Sequence, residues 1–274
     1  MTAFTIRDLI IYPIKGIQGI SLDSVEVLQR GLKHDRRLML VDAEGTFISQ
    51  RTHPQLVNIY PEQIQNGFQL NYNQQSLKVI IEGTELSREI SVTVFEHEMT
   101  AYHLSDIYDK WFSQILDCEV SLVYMPENGD RIKNLKRGKK DHVNVSFADG
   151  YPILILGTAS MIELNKNLET QVRALRFRPN IIVDTAISHS EDYWDEISIG
   201  ACKLQNIKPC ARCNVITIDQ STGVINKEAL KMLSSYRKIK NKVYFGTNAI
   251  ILNEGYIMKG DQLTVHSLQE GLQY

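Results

Sequence analysis

Apolar and polar residues alternate over many short stretches in the first hundred residues, which is typical of strands with one buried face. The stretch around Gly45 predicts a hairpin, because glycine readily takes the positive φ that a tight turn needs. Turn residues separate the remaining strands at regular spacing, as in an antiparallel barrel or sandwich. The predicted strands of this half are 4–11, 21–28, 37–41, 46–49, 56–60, 67–72, 77–81 and 89–95.

The period changes after residue 104, where apolar residues recur at Ile107, Trp111 and Ile115. This spacing predicts an amphipathic helix, with Ser105 as its N-cap. Two further helices are predicted over 158–168, capped by Thr158 or by Ser160, and over 227–236. The predicted strands of this second half are 120–124, 153–156, 180–183, 202–207, 214–219, 249–252 and 262–266.

These elements predict a mainly β fold with a few helices, arranged as two β-barrel-like domains. The long helix after residue 105 marks the change from one domain to the next. The predicted limits are 1–115 for the first domain and 120–270 for the second.

The composition is that of an ordinary globular protein, with 274 residues, 43% hydrophobic and 23% charged. The net charge of −2 provides no overall field that would attract nucleic acid or an anionic membrane, so neither partner is expected. No apolar run approaches the roughly 20 residues that span a bilayer, and residues 1–7 lack the features of a signal peptide. A cytoplasmic protein is therefore expected.

The sequence around Cys210, Arg212 and Cys213 brings two thiols and a guanidinium together directly before a predicted strand. A neighbouring cation favours the charged form of a thiol, which is then a nucleophile or a soft metal ligand. The other two cysteines, Cys118 and Cys202, are interpreted as buried packing residues. On local chemistry alone, the pair could also be two small buried residues at the start of a strand.

Other uses of the cysteine pair have less support. A structural zinc site needs a second pair or two histidines at ligand spacing, and the seven histidines are scattered. An iron–sulfur cluster would need the remaining cysteines at irregular spacing. A thioredoxin-like pair should begin a helix, whereas this pair precedes a β-branched strand.

Cationic residues also occur where three predicted strands begin or end: Lys15, Arg36 with Arg37, and Arg178 followed by Asn180. A cation that points inward from a sheet needs an anionic partner. Together with the thiol pair, they suggest one shared anionic ligand such as a phosphate-bearing cofactor. Residues 131–140 add six basic residues in ten, either as a solvated loop or as a docking patch for an acidic partner.

Taken together, these stretches resemble the MOSC family, including its N-terminal β-barrel domain. Within that family the chain is similar to the amidoxime-reducing and hydroxylaminopurine-reducing members. The motifs run in order along nearly the whole chain. They are residues 11–16, 35–37, 177–181, 194–196, 209–213, 217–223, 235–237, 245–246 and 259–261.

The resemblance implies the molybdenum cofactor, Mo-molybdopterin, with Cys213 as metal ligand and catalytic residue; pyridoxal phosphate is not expected. It further implies reduction and detoxification of small N-hydroxylated compounds, with electrons from a separate ferredoxin-type or flavoprotein-type donor. The residues implied to contact the cofactor are Lys15, Gly16, Arg36, Arg178, Asn180, Cys210, Ala211, Arg212 and Asn248.

The chain departs from the pattern of the amidoxime reducers at several positions. Gly16 stands for a serine, residues 149–151 stand for an Asp-Thr-Ser run, and Asn248 stands for a tyrosine. These changes are expected to reduce the number of contacts around the cofactor or to alter the shape of the substrate pocket. An alternative function also remains open, namely a cofactor carrier or sulfur-transfer module with a persulfide on Cys210 or Cys213.

Overall fold

The computed structural model describes residues 2–86, 88–126, 129 and 131–271. Met1, Ser87, Glu127, Asn128 and Asp130, which fall within the predicted domain limits, lie outside the described residues. Strand accounts for 44% of the residues and helix for 17%, which confirms the mainly β fold. The helices are α1 Asp106–Leu116, α2 Thr158–Lys166 and α3 Glu228–Tyr236.

The described strands, numbered in chain order, are β1 Thr2–Ile11, β2 Ile20–Leu22, β3 Ser24–Leu28, β4 Gly31–Leu32, β5 Leu38–Val41, β6 Tyr60–Ile64, β7 Gly67–Tyr72, β8 Gln75–Ile80, β9 Glu89–Val94, β10 His97–His103, β11 Ser121–Tyr124, β12 Ile132–Asn134, β13 His142–Asn144, β14 Ile153–Gly157, β15 Ile181–Asp184, β16 Glu196–Ile199, β17 Cys202–Arg212, β18 Lys238–Ile239, β19 Lys242–Asn253, β20 Gly255–Met258 and β21 Gln262–Val265.

Seven strands close into a β-barrel, in the order β14-β15-β1-β21-β16-β17-β19. The ring closes because β14 pairs with β15 on one side and with β19 on the other. The β14–β15 pair is parallel, and α2 lies in the connection between the two strands. A second sheet, β5-β11-β10-β9, curls into a half-barrel. Both β-barrel-like units of the predicted fold are therefore present.

The two halves of the chain exchange strands. β1 belongs to the barrel of the second half, where it pairs with β15 and β21. In return, β20 near the C-terminus pairs with β3 of the first half. The predicted limits 1–115 and 120–270 stay a prediction, but the sheets themselves cross them.

The strand exchange gives the two halves a shared apolar core. One cluster of buried side chains includes Leu9, Leu40, Phe112 and Ile251, which come from β1, β5, α1 and β19. Burial of Cys202 in the same cluster confirms it as a packing residue. No helix in the described part of the chain is both long and apolar enough to cross a membrane.

Several predicted elements are wrong in type. The stretch 56–60 is not a strand; a 3-10 helix covers Pro54–Asn58, and proline is tolerated in its first turn because no N–H partner is needed there. The stretch 214–219 is likewise a 3-10 helix, Asn214–Thr217. Residues 46–49 form only isolated bridges, such as Val41 with Phe47.

The predicted caps have different outcomes. Ser105 accepts a hydrogen bond from the Ile107 amide, as predicted for α1. The N-cap of α2 is Gly157, and no side chain caps it. Thr158 and Ser160 are not caps because their hydroxyls serve tertiary contacts: Thr158 accepts from the Thr185 amide, and Ser160 donates to Glu191.

Candidate functional site

A cavity of about 440 Å³ lies where loops of the first half meet the end of β17. This volume is within the usual range for a small-molecule site. The ten residues predicted from the sequence to form the site all line this cavity. They are Lys15, Gly16, Arg36, Arg178, Asn180, Cys210, Ala211, Arg212, Cys213 and Asn248.

Tyr12, directly after β1, is the platform for two of the cavity's cations. The guanidinium carbon of Arg178 lies 4.1 Å from the centre of the Tyr12 ring, and that of Arg36 lies 4.5 Å from it. Such cation–π contacts stabilise a desolvated guanidinium. The Tyr12 hydroxyl donates to the carbonyl of Pro179, which fixes the ring. Burial raises the pKa of Tyr12 well above its usual range, so the platform stays neutral.

Arg36 and Arg178 share an unusual backbone conformation, with φ of 49° and 56°. Non-glycine residues in this left-handed region carry strain that the surrounding contacts must offset. The Arg36 guanidinium donates to Asp35 at 2.6 Å and to the Arg178 carbonyl at 3.1 Å. Arg178 donates to the Ile17 carbonyl at 2.7 Å. Burial, and next the positive charge of Arg36, lower the pKa of Arg178 to about 10.

Asn180 connects two barrel strands to one of the cavity arginines. Its side-chain nitrogen donates to the Ile10 carbonyl at 3.1 Å. Its side-chain oxygen accepts from the Leu154 amide at 3.1 Å and from Arg36 at 3.2 Å. The side chain thus connects β1, β14 and a cavity cation, and it acts in this structure as a residue that positions Arg36.

Lys15 and Asp149 form an ion pair on the cavity wall. Lys15 also donates to the Phe147 carbonyl at 2.9 Å, and only 9% of its side chain is exposed. Burial lowers the pKa of Lys15, although the charge of Asp149 opposes this. Asp149 lines the same cavity as Lys15. Burial by the surrounding wall raises its pKa, but Lys15, followed by Arg36, holds it well below the usual range.

The cysteine pair is asymmetric. Cys210 is half-buried at the end of β17, and Arg212 donates to its sulfur at 3.1 Å. Arg212 also donates to the Phe177 carbonyl at 2.7 Å. Cys213 follows the strand, is exposed, and lines the cavity. The interpretation of the pair as two buried packing residues is therefore wrong.

The cavity wall is strongly cationic. Five of its described side chains are positive and one, that of Asp149, is negative, so the lining has a formal charge of +4. The buried Nε of Arg212 has no partner among the described residues. Since buried cations and donors need partners, the cavity is suited to a ligand with several negative charges. The cationic residues are Lys15, Arg36, Arg51, Arg178 and Arg212.

Several cavity residues carried no signal in the sequence. Arg51, Phe47 and Phe95 come from turns of the first half, and the Arg51 guanidinium lies 5.8 Å and 5.9 Å from the two ring centres. Gln50 donates to the Gly16 carbonyl at 2.6 Å and thereby supports the loop of Lys15. A loop residue such as Arg51 belongs to no periodic pattern, so the sequence gives no sign that it contacts the cavity.

The basic stretch 131–140 is not one continuous loop. It begins with β12, which forms a hairpin with β13. Arg131 is buried and donates to the carbonyls of Ser146 and Ala148. Arg137 pairs with Asp195 at 3.5 Å. Within the described residues, Lys136 is exposed and has no ion-pair partner.

Together, the barrel and its cavity define a class of β protein with an exposed thiol on the wall of a cationic cavity. Residues 3–119 match the MOSC N-terminal beta barrel domain, and residues 142–264 match the MOSC domain. The chain belongs to the MOSC family, which confirms the resemblance seen in its motifs.

The curated relatives include several amidoxime-reducing proteins. The human mitochondrial amidoxime-reducing component 1 is 30% identical over 94% of this chain and 81% of its own length. Mitochondrial amidoxime reducing component 2 of Bos taurus is 30% identical over 85% of this chain and 72% of its own.

A third relative, the molybdenum cofactor sulfurase of Oryza sativa subsp. japonica, is 28% identical over 95% of this chain and 34% of its own length. Among solved structures, the YUAD protein from Bacillus subtilis matches with a TM-score of 0.42 and 11% identity, covering 98% of both chains.

The burial of the four thiols predicts an order of reactivity in the cofactor-free protein. Cys213 should be alkylated first because it is exposed, whereas Cys202 should react only after unfolding. Burial raises the pKa of Cys202 to about 12, which further suppresses its thiolate. Timed alkylation with iodoacetamide, read by peptide mass spectrometry, measures the order. Early labelling of Cys202 in the folded protein would contradict this arrangement.

Proposed function

We propose that this protein is a molybdenum-cofactor-dependent reductase of small N-hydroxylated compounds. The overall reaction converts an N–OH compound, two electrons and two protons into the corresponding N–H compound and water. The observation that supports the proposal most strongly is the cationic cavity with the exposed thiol of Cys213 on its wall. The amidoxime-reducing relatives support the same reaction.

The residues of the cavity fit a phosphate-bearing pterin with a soft metal. The formal charge of +4 on the lining suits a phosphate, and the unpartnered Nε of Arg212 offers one more donor. A thiolate suits a metal that already has sulfur ligands. In this proposal, Lys15, Arg36 and Arg178 bind the phosphate and pterin, and Cys213 ligates the metal.

When bound, the cofactor would supply the two-electron reduction of the N–O bond. The chain's own contribution is to hold and orient the reacting groups. Arg36 and Arg178 are fixed by the Tyr12 ring, so they are organised for an anion before it binds. Lys15 is fixed by Asp149 and by the Phe147 carbonyl. Phe47 and Phe95 add apolar wall that excludes water from part of the cavity.

The further contacts with Gly16, Asn180, Cys210, Ala211 and Asn248 belong to the same proposal, with different roles. Asn180 acts mainly through Arg36 and the strands that it connects. Cys210 is held by Arg212, so it is a neighbour of the metal ligand in this account. Asn248 lies opposite Lys208 in the β17–β19 ladder and reaches the cavity from the next strand.

The proposed compartment is the cytoplasm, where reduced thiols persist. All four cysteines are free in the structure. Detoxification of N-hydroxylated compounds is the proposed role there, with a separate ferredoxin-type or flavoprotein-type protein as electron donor.

Replacement of Cys213 by serine tests the metal-ligand role. The C213S variant should lose reductase activity toward benzamidoxime by at least about 100-fold, since even outer-shell substitutions at metal sites cost up to that much. Activity is measured with an artificial electron donor, and molybdenum is measured by elemental analysis of the same preparation. C210S is the matched control and should keep most of the activity and the metal.

The same pair of variants separates the reductase from the carrier. A sulfur-transfer module with a persulfide on Cys210 would lose its function in C210S, and the loaded wild-type protein would show no turnover of benzamidoxime. Full activity in C213S would contradict the assignment of Cys213.

Lys136 is the proposed docking residue for an acidic electron donor. The charge reversal K136E should raise the apparent KM for a ferredoxin-type donor several-fold at low salt, because complementary charge accelerates encounter. K110E, which reverses an exposed lysine on α1, is the control and should change this KM little. Equal KM values for K136E and the wild-type protein at low salt would rule out this docking surface.

A further inference from the structure

Two lysines lie against one aromatic ring at the edge of the main cavity. The Nζ of Lys133 is 5.0 Å from the centre of the Tyr151 ring, and the Nζ of Lys208 is 5.4 Å from it. Both distances are within the range of a cation–π contact. Tyr151 itself lines the cavity, so its ring connects the lysine pair to the proposed reaction site.

The environment of this pair differs from that of the inner cations. Lys15 and Arg36 each have a carboxylate partner. Among the residues that the structure describes, the ammonium groups of Lys133 and Lys208 have no hydrogen-bond or ion-pair partner and contact the Tyr151 ring instead. Burial, and next the positive charge of Lys208, lower the pKa of Lys133. Both ammonium groups thus lie against one ring, and neither has a carboxylate at ion-pair distance, although Glu96 and Asp149 also line the smaller cavity beside Lys133. An anion placed against this ring would be stabilised by both positive charges.

The position of the pair relative to the cavity is set by two elements. Lys208 lies on β17 two residues before Cys210, which places their Cα atoms roughly 7 Å apart along the strand. Lys133 lies on β12 and lines a smaller cavity of about 180 Å³. The two cavities share Phe95, Asp149 and Gly150, so they adjoin each other.

Because Gly150 has no side chain, the Lys133 ammonium group can lie close to its backbone. A Cβ atom on Gly150 would lie 3.3 Å from the Lys133 Nζ, which is a crowded contact. Tyr151 next to it, together with Phe95, provides flat apolar surface. The outer part of the cavity therefore combines aromatic faces with two ammonium groups.

We propose that Lys133 and Lys208 form an anion subsite that selects N-hydroxylated aromatic substrates bearing a carboxylate or phosphate away from the N–O group. The aromatic body of the substrate packs against Tyr151, and its anionic group lies between the two ammonium groups. The inference rests on the proposed reductase function, and it deepens that function by naming the substrate class.

The test compares benzamidoxime with 4-carboxybenzamidoxime, which carries one added carboxylate, using molybdenum-loaded protein and an artificial donor. The wild-type protein should have the higher kcat/KM for the carboxylate. In K133Q/K208Q, the ratio of the two kcat/KM values should fall about fivefold or more, as expected for losing partly exposed charge pairs. K203Q removes another exposed lysine of β17 and should leave the ratio unchanged.

An unchanged ratio in K133Q/K208Q would overturn the subsite. Loss of molybdenum from this variant would overturn it as well, because the lysines would then serve the cofactor. Titration calorimetry of the two compounds with loaded protein separates this inference from the proposed function. Tighter binding of 4-carboxybenzamidoxime than of benzamidoxime, without turnover of either compound, would reject the reductase and support the subsite. Equal affinities for the two compounds would reject the subsite.

Discussion

The structure depends on the confinement of several positive charges in one cavity. Guanidinium and ammonium groups lose their hydration there, and each must be offset by contacts from the protein. The Tyr12 ring supports Arg36 and Arg178, while Lys15 is balanced by Asp149. The arrangement leaves the lining with a formal charge of +4, so the site is organised to receive an anion. The strained backbone of the two arginines indicates that this organisation is maintained against a local cost.

The exchange of strands between the halves explains how such a site stays rigid. β1 lies in the barrel of the second half, and Tyr12 and Lys15 follow directly from its end. The loop of Arg36 bonds to that same segment through the Arg36 amide and the Tyr12 carbonyl, at 2.8 Å. Asn180 then connects β1 to β14. Cations from both halves therefore meet on one framework, and a hinge between two separate domains would not hold them in this way.

The fold class could be predicted from the sequence. The cavity residues beside strand ends could be predicted as well, because charged residues and thiols at such positions form recognisable motifs. Its errors have local causes. Val215 and Ile216 are β-branched and favour a strand, yet the 214–217 segment is a 3-10 helix in which the Thr217 hydroxyl donates to the Asn214 carbonyl at 2.7 Å. Arg51 and Phe95 reach the cavity from loops, and only the folded chain shows what such residues face. The exchange of β1 and β20 is a long-range pairing that no local pattern encodes.

The central claim is that the cationic cavity holds a molybdenum cofactor whose metal is bound by Cys213. X-ray absorption spectroscopy at the molybdenum edge of the loaded protein tests it most directly, since it counts the sulfur atoms around the metal. The account predicts one sulfur ligand beyond the cofactor's own dithiolene in the wild-type protein and in C210S, and its loss in C213S. The same sulfur count in C213S as in the wild-type protein would contradict it.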